Sequence, residues 1–137
     1  MSEFYVSVGD QVSFAKTVGE YDVYGFAGIT GDFSGNHVDE EFMKRSVYGR
    51  RIAHGVLLVG YMSTCSTRII EGVDRPAVSY GYDRVRFIKP VFVGDTITAE
   101  YVVTEQDLAG ERTMARVTVT NQDGEVVAVA THILKYV

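Results

Sequence analysis

One carboxylate and one imidazole lie five positions apart in a glycine-rich stretch, and both residue types can move protons. The stretch runs Gly31-Asp32-Phe33-Ser34-Gly35-Asn36-His37. In a turn of that length, Asp32 and His37 can hold a single water molecule between them. A positioned acid and base of this kind accelerates proton transfer by roughly 10²–10⁴. The spacing therefore points to chemistry in which water is activated.

The segment Ala53-His54-Gly55 adds a backbone donor at the start of a long apolar stretch. If a helix begins at Gly55, its first N–H groups have no partner within the helix and can stabilise an oxyanion. Ser63 lies two turns further along, where its hydroxyl can bond Asp32 or a ligand carbonyl. A base, a proton donor and an oxyanion donor are what water needs to add across an α,β-unsaturated thioester, or to leave it.

Each of these residues also has a purely structural interpretation. Asp32 can cap a turn, and His37 can cap the helix that follows. His54 is interpreted as a residue at the helix start that bonds nearby backbone through its ring. His132, in the apolar run of the last strand, is expected to be a structural histidine with satisfied hydrogen bonds. The three histidines and single cysteine show no HExxH or CxxC spacing, so no metal site is expected.

The elements that position these residues change type midway along the chain. The first half is expected to hold helices and loops, and Thr17-Val18-Gly19-Glu20 has the form of a capping box. Apolar residues lie almost all round the segment that starts at Gly55, which is typical of a buried helix. The expected elements are a strand at Val12–Lys16, helices at Tyr21–Ile29, Asp39–Ser46 and Gly55–Glu71, a loop at Gly31–Asn36, and Gly72 as the C′ residue of the long helix.

From Ala77 onward the apolar pattern has a period of two, which predicts strands. The phase slips near Asp83, indicating a β-bulge, and Asp123-Gly124 is a strong hairpin signal. The expected strands begin at Ala77 and continue as Asp95–Glu105, Arg112–Thr120 and Glu125–Tyr136, with a turn at Asp107–Gly110. The sequence thus predicts an α+β fold in one domain, 1–137, with a curved antiparallel sheet wrapped around a long central helix.

Composition excludes several classes of function. Hydrophobic residues make up 46% of the chain, charged residues 23%, and the net charge is −5 without a Lys/Arg run, which argues against nucleic acid and membrane partners. The short basic groups, expected to be mostly solvated surface available to a phosphate-bearing ligand, are Arg50-Arg51 and Arg84/Arg86/Lys89.

Cysteine usage and hydropathy indicate the compartment. A single cysteine, Cys65, cannot form an intramolecular disulfide and fits a reducing cytoplasm. Its place in the apolar segment favours a buried, unreactive thiol. The N-terminus lacks the pattern of a signal peptide. The longest mostly apolar stretch, 55–62, is too short to span a membrane.

At these residues the chain resembles the MaoC-like family of (R)-specific enoyl-CoA hydratases, whose pattern is roughly D-x-N-P-x-H, x-D-x-x-F and A-H-G-[ML]-L. Asp32, His37, Asp39, Phe42 and Ala53-His54-Gly55-Val56-Leu57 lie at the matching offsets. The segment Phe87-Ile88-Lys89-Pro90-Val91-Phe92-Val93-Gly94-Asp95 resembles the family's F-x-x-P-V-x-x-G-D. The resemblance extends from about Val8 to the C-terminus.

The resemblance implies a fold, a site and a substrate. The fold would be the hot-dog fold, paired with a second copy into a homodimer or a dimer of dimers. Asp32 and His37 would be the catalytic pair, the Gly55 N–H the oxyanion donor, and Ser63 a substrate-binding residue near the acid. The substrate would be an acyl-CoA thioester. No separate cofactor is implied, because coenzyme A is part of that substrate.

The chain departs from the family pattern in the catalytic loop. Ser34-Gly35 replaces the family's Asn-Pro, and glycine loosens a loop that proline restrains. Two alternatives to a hydratase stay open, and this departure supports the second of them. One is a hot-dog thioesterase, although residues 55–70 contain no Asp or Glu. The other is a non-catalytic module that binds acyl-CoA.

Overall fold

A computed structural model describes residues 5–137, which form one antiparallel sheet and several helices. The strands are β1 (Gln11–Thr17), β2 (Ala77–Phe87), β3 (Thr96–Asp107), β4 (Arg112–Thr120) and β5 (Val126–Tyr136). The helices are α1 (Glu20–Thr30), α2 (Gly35–Val38), α3 (Glu40–Lys44) and α4 (Gly55–Ile69). Within the described residues, no helix combines the length and the hydropathy that crossing a bilayer requires.

The sheet is built around the long helix, as the sequence predicts. The strand order is β1-β3-β4-β5-β2, and every neighbouring pair is antiparallel. Helix α4 packs against β1, β3, β4 and β5. The buried faces share one core, which includes Leu58, Met62, Ile97, Tyr101, Val117 and Leu134. The opposite face of the sheet is more polar, with residues such as Glu100, Arg116 and Thr118.

Strand β2 is irregular and lies at one edge of the sheet. The register with β5 shifts between Ser79 and Gly81 and again between Asp83 and Arg86, which confirms the predicted bulge near Asp83. Arg84 takes the left-handed conformation there, with φ of 55°. Among residues 5–137, β2 pairs only with β5, so its other edge leaves backbone N–H and C=O groups without partners in the sheet.

Three local predictions differ from the structure. The predicted capping role of Thr17 is wrong, because its hydroxyl bonds Thr96 Oγ1 at 2.7 Å and helix α1 begins beyond Gly19. The Asp22 carboxylate instead accepts the Gly19 N–H at 2.8 Å. Gly72 does have a positive φ of 81°, but it lies two residues beyond the C-cap Ile70 rather than at C′. The predicted loop at Gly31–Asn36 is interrupted by the start of the short helix α2.

The thiol of Cys65 lies in the core, as predicted. The residue is fully buried, and Sγ donates to the Ala99 carbonyl oxygen at 3.6 Å. Burial raises the pKa of this thiol. A neutral thiol in apolar surroundings is a poor nucleophile, so Cys65 contributes to packing.

Candidate active site

Asp32 follows the end of helix α1 and presents its carboxylate at the surface. Gly31 closes the helix in the left-handed conformation, with φ of 84°, and donates its N–H to Ala27 at 2.7 Å. Asp32 Oδ1 accepts the Ser34 N–H at 3.3 Å, so the turn-capping role is present, although the bond is long. The structure records no hydrogen bond to Oδ2 from residues 5–137, and this oxygen is available to a ligand.

His37 lies on the short helix α2 with its ring largely buried, at 9% exposure. Its Nδ1 is 2.7 Å from the carbonyl oxygen of Ile52. A carbonyl oxygen can only accept, so Nδ1 carries a proton whether the ring is neutral or charged. In the neutral ring, Nε2 therefore holds the lone pair. This tautomer gives His37 a proton acceptor that can become a donor after one transfer.

His54 joins the two candidate residues, a role that the sequence did not reveal. As predicted, its ring bonds backbone, since Nε2 donates to a carbonyl oxygen at 2.9 Å. That carbonyl belongs to Asp32, 22 positions earlier. The His54 ring also stacks on His37, with centroids 3.7 Å apart and 25° between planes, and is 4.8 Å from Phe26. His54 thus contacts both members of the pair, Asp32 through a hydrogen bond to its backbone and His37 through ring stacking.

The pair has the spacing for one bridging water. Asp32, His37 and His54 each place one carboxylate oxygen or ring nitrogen within 4.8 Å of the others. A water that makes two hydrogen bonds of about 2.8 Å spans this distance. The same three residues could in principle offer ligands to a metal ion. However, His37 Nδ1 and His54 Nε2 already bond carbonyl oxygens, which leaves one ring nitrogen on each histidine.

Gly55 begins helix α4 and lies in the wall of a cavity. Its N–H has no hydrogen-bond partner among residues 5–137, as expected for the first residue of a helix. The cavity, of about 280 Å³, also contacts His37. A Cβ at position 55 would lie 2.7–2.8 Å from three atoms of the Phe87 ring. Only glycine fits this wall. The other lining residues are Tyr48, Ile52, Ala53, Leu58, Phe87, Ile88, Lys89, Pro90 and Val91.

Among residues 5–137, no hydrogen bond joins Ser63 to Asp32. It does not line the cavity that contains His37 and Gly55. It is exposed on α4 together with Val56, Gly60 and Thr67. Burial raises the pKa of Tyr82, whose hydroxyl lies close enough to Ser63 for that serine to oppose the rise. Ser63 therefore stands near the bulged strand β2, two turns from the oxyanion donor.

Arg51 is buried, contrary to the expectation of a solvated basic group. Its side chain is 9% exposed and forms ion pairs with Glu20, at 2.5 Å, and Glu40, at 3.1 Å. Hydrogen bonding to Glu20 and Glu40 raises the pKa of Arg51 despite its burial, and bonding to Arg51 lowers that of Glu20. The two carboxylates offset the desolvation of the guanidinium, which is why a charge is tolerated there.

Comparisons with known proteins agree with the geometry. A family model described as "MaoC like domain" matches residues 4–126. An (R)-specific enoyl-CoA hydratase of Rhodospirillum rubrum is 37% identical over 99 residues, which cover 72% of this chain and 67% of that protein. A 3-hydroxybutyryl-CoA dehydratase of Methylorubrum extorquens is 34% identical, over 89% of this chain and 74% of its own length. The structure of an (R)-hydratase from A. caviae involved in PHA biosynthesis has a TM-score of 0.87 and 28% identity, covering 95% of this chain and 96% of that one.

Proposed function

The chain belongs to the MaoC-like dehydratase family, and we propose that it is a hydro-lyase that reversibly adds water to a trans-2-enoyl-CoA to give an (R)-3-hydroxyacyl-CoA. The observation that carries this proposal is that Asp32 and His37 place a carboxylate oxygen and a ring nitrogen within 4.8 Å of each other, while His37 lines the same cavity as Gly55. The activities named for the relatives, enoyl-CoA hydratase and hydroxyacyl-CoA dehydratase, are the two directions of this reaction.

The catalytic pair supplies the proton transfers. Water bound between the Asp32 carboxylate and His37 Nε2 attacks the β-carbon of the enoyl thioester as one of its protons passes to the pair. The π electrons move towards the thioester oxygen, and the α-carbon then takes a proton from the pair. The sum is one hydrogen on the α-carbon and one hydroxyl on the β-carbon. Dehydration is the same sequence in reverse.

The start of helix α4 supplies the electrostatic stabilisation. Negative charge develops on the thioester oxygen during addition, and the Gly55 N–H lies in the wall of the same cavity as His37. Removal of one such donor typically costs roughly 10²–10³ in rate. The positive end of the α4 dipole acts in the same direction. The cavity walls are largely apolar away from these groups, which suits an acyl chain.

The proposed reaction needs no metal ion and no cofactor beyond the coenzyme A of the substrate. The support is that two nitrogens of the candidate ligand set already bond backbone carbonyls. We expect protein dialysed against EDTA to keep its full kcat. Restoration of lost activity by a divalent ion would contradict this part of the proposal.

A homodimer is the proposed assembly, with a dimer of dimers as the larger alternative. Strand β2 is a sheet edge whose Val78 and Tyr80 are more than half exposed. A second copy paired along this edge would satisfy its free backbone groups. Ser63 lies near the same strand, so a partner would approach it. The single, buried Cys65 supports the proposal that the protein works in a reducing cytoplasm.

The proposed function is tested with crotonyl-CoA. We expect purified protein to remove the enoyl-thioester absorbance, and chiral analysis to find the (R)-alcohol. Asp32→Asn is expected to lower kcat by roughly 10²–10⁴. Release of free coenzyme A would instead indicate a thioesterase, which the absence of Asp and Glu from α4 disfavours. Saturable binding of enoyl-CoA chains of several lengths without turnover would overturn the proposal in favour of a binding module.

A further inference from the structure

The loop that carries the catalytic pair has little rigidity of its own. Between Asp32 and His37 it contains Ser34-Gly35, and glycine is the least restrained residue of a chain. Helix α2 has only four residues, Gly35–Val38, and the Ser34 side chain forms no hydrogen bond at its N-terminus. Because a displacement of about 1 Å can cost roughly 10² in rate, something outside the loop must hold it.

The segment Arg51-Ile52 contacts this loop at consecutive backbone positions. The Ile52 N–H donates to the Asn36 carbonyl oxygen at 3.0 Å, and the Ile52 carbonyl oxygen accepts His37 Nδ1–H at 2.7 Å. Arg51 Nη1 donates to the His37 carbonyl oxygen at 3.4 Å, a long bond. Together these contacts fix both the backbone and the ring of His37.

The guanidinium is itself anchored to the helices on either side. Glu20 is the first residue of α1, the helix that ends just before Asp32, and Glu40 is the first residue of α3, just after α2. Their ion pairs with Arg51, at 2.5 and 3.1 Å, use Nη2 and Nε, which leaves Nη1 for His37. One planar side chain thus connects α1, α2 and α3. A lysine ammonium cannot present three donors in that fork.

We propose that Arg51, anchored by Glu20 and Glu40, is the positioning residue that holds His37 in register with Asp32 and thereby supplies the restraint that Ser34-Gly35 lacks. This inference rests on the catalytic role proposed for His37. Arg51 does not line the cavity and touches no reacting atom. Its loss should therefore act on kcat through His37 and leave substrate binding almost unchanged.

Arg51→Met tests the inference, because methionine keeps much of the buried volume and removes all three donors. We expect kcat to fall 10- to 100-fold, with KM changed less than threefold. Arg75→Met is the matched control, since Arg75 pairs with Glu111 at 2.9 Å and with the Tyr5 hydroxyl at 3.0 Å. It should keep the wild-type kcat. An unchanged kcat in Arg51→Met would overturn the inference.

A substitution that restores rigidity to the loop should recover part of the kcat that Arg51→Met loses. Such a recovery is not expected if Arg51→Met acts only by lowering the stability of the whole protein. Ser34 has φ of −55° and ψ of 143°, a conformation suited to the residue before proline, and Gly35 is the first residue of α2. A Cβ there lies 3.1 Å from the edge of the half-exposed Phe42 ring, which must shift slightly. We expect Gly35→Pro to recover at least fivefold in kcat in the Arg51→Met background. Absence of any recovery would contradict the proposed restraint.

A measurement independent of turnover separates this inference from the proposed function. The His37 Nδ1–H proton, bonded to Ile52, should be visible by NMR and slow to exchange with solvent. In Arg51→Met its exchange should be at least tenfold faster, whether or not the protein hydrates crotonyl-CoA. Should Arg51→Met not fold, Glu20→Ala with Glu40→Ala removes both anchors at carboxylates that are about half exposed. Unchanged exchange in a folded variant would overturn the inference.

Discussion

At the residue scale, His37 has two tasks that one substitution can separate. Its Nδ1–H bonds the Ile52 carbonyl oxygen, a structural contact, and its Nε2 is the atom that we propose holds the reacting water. In His37→Asn the side-chain amide can still donate to Ile52 but has no group in place of Nε2. We expect kcat to fall roughly 10²–10⁴ while the midpoint of thermal unfolding changes little. A variant that loses its fold instead would mean that the residue is chiefly structural.

A packing contact, as well as the proposed function, favours glycine at position 55. In Gly55→Ala the new methyl group would meet the Phe87 ring at 2.7–2.8 Å, so either the ring or the start of α4 must move. Alanine is the better helix former by about 1 kcal/mol, so the helix itself should not weaken. We therefore expect at least a tenfold loss of kcat with little change in unfolding free energy. Adding Phe87→Ala should restore part of the activity, and full activity in Gly55→Ala alone would contradict the constraint.

The candidate site could be predicted from the sequence where its residues are close along the chain. Asp32 and His37 are separated by one turn, and Gly55 follows from the start of an apolar helix. The parts of the site that the sequence does not predict are contacts between residues that are far apart along the chain. Arg51 meets Glu20 across 31 residues, and His54 meets Asp32 across 22. Nothing in the local pattern distinguishes a buried, paired arginine from the solvated one that composition favours.

At the element scale, His132 connects three strands of the sheet. From β5 its Nε2 lies 2.8 Å from Ser79 Oγ on β2, and its Nδ1 lies 2.7 Å from the Tyr101 hydroxyl on β3. Both ring nitrogens have partners, which confirms the predicted structural role. Burial lowers the pKa of His132 from 6.5 to about 4. The folded sheet therefore keeps this imidazole neutral under conditions where an unfolded chain would charge it.

That difference makes stability depend on pH. Between about pH 6.5 and pH 4 the unfolded imidazole binds a proton that the folded one does not, so the free energy of unfolding falls as pH falls through this window. The full difference in the pKa of His132 between the unfolded and the folded chain corresponds to about 3 kcal/mol in the free energy of unfolding. Urea unfolding of wild-type protein and His132→Gln at pH 7, 5.5 and 4.5 measures it. We expect the wild type to lose more stability than the variant. Parallel losses would show that His132 is not the group responsible.

The elements themselves were predicted with unequal success, for physical reasons. The strands after Ala77 alternate because one face packs on α4 and the other meets solvent, so their period is visible in the sequence. Helix α2 was missed because it has four residues, too few for a periodic signal. The predicted capping role of Thr17 is wrong because Thr17 and Glu20 fit the S/T-x-x-E pattern of a capping box, whereas Thr17 lies in strand β1. There its hydroxyl forms a hydrogen bond with the Thr96 hydroxyl of β3.

At the scale of the whole molecule, helix α4 approaches the edge strand β2 at Ser63, which lies close to the Tyr82 hydroxyl. Val56, Gly60, Ser63 and Thr67 lie along the exposed side of the helix. Val78 and Tyr80 lie on the outer face of β2, where Val78 pairs with Lys135 and the Arg112 guanidinium lies 4.3 Å from the centre of the Tyr80 ring. Small side chains on the helix allow close approach of another backbone. A sheet edge with exposed apolar residues is a template for pairing. A second copy paired along β2 would bring its own chain next to Ser63, which, like Asp32, does not line the cavity that contains His37 and Gly55.

The assembly can be tested with a charge on that edge. Val78→Lys places an ammonium group on β2 where the proposed partner strand would pack, and lysine is a common residue on strands that stay unpaired. Val78 is 52% exposed, and Leu108, in the β3–β4 turn rather than on the edge strand, is 54% exposed, so Leu108→Lys is a matched control. By sedimentation velocity at about 10 µM we expect wild type and Leu108→Lys to be dimers and Val78→Lys a monomer with reduced kcat. A monomeric wild type with full activity would show that one chain forms the entire site.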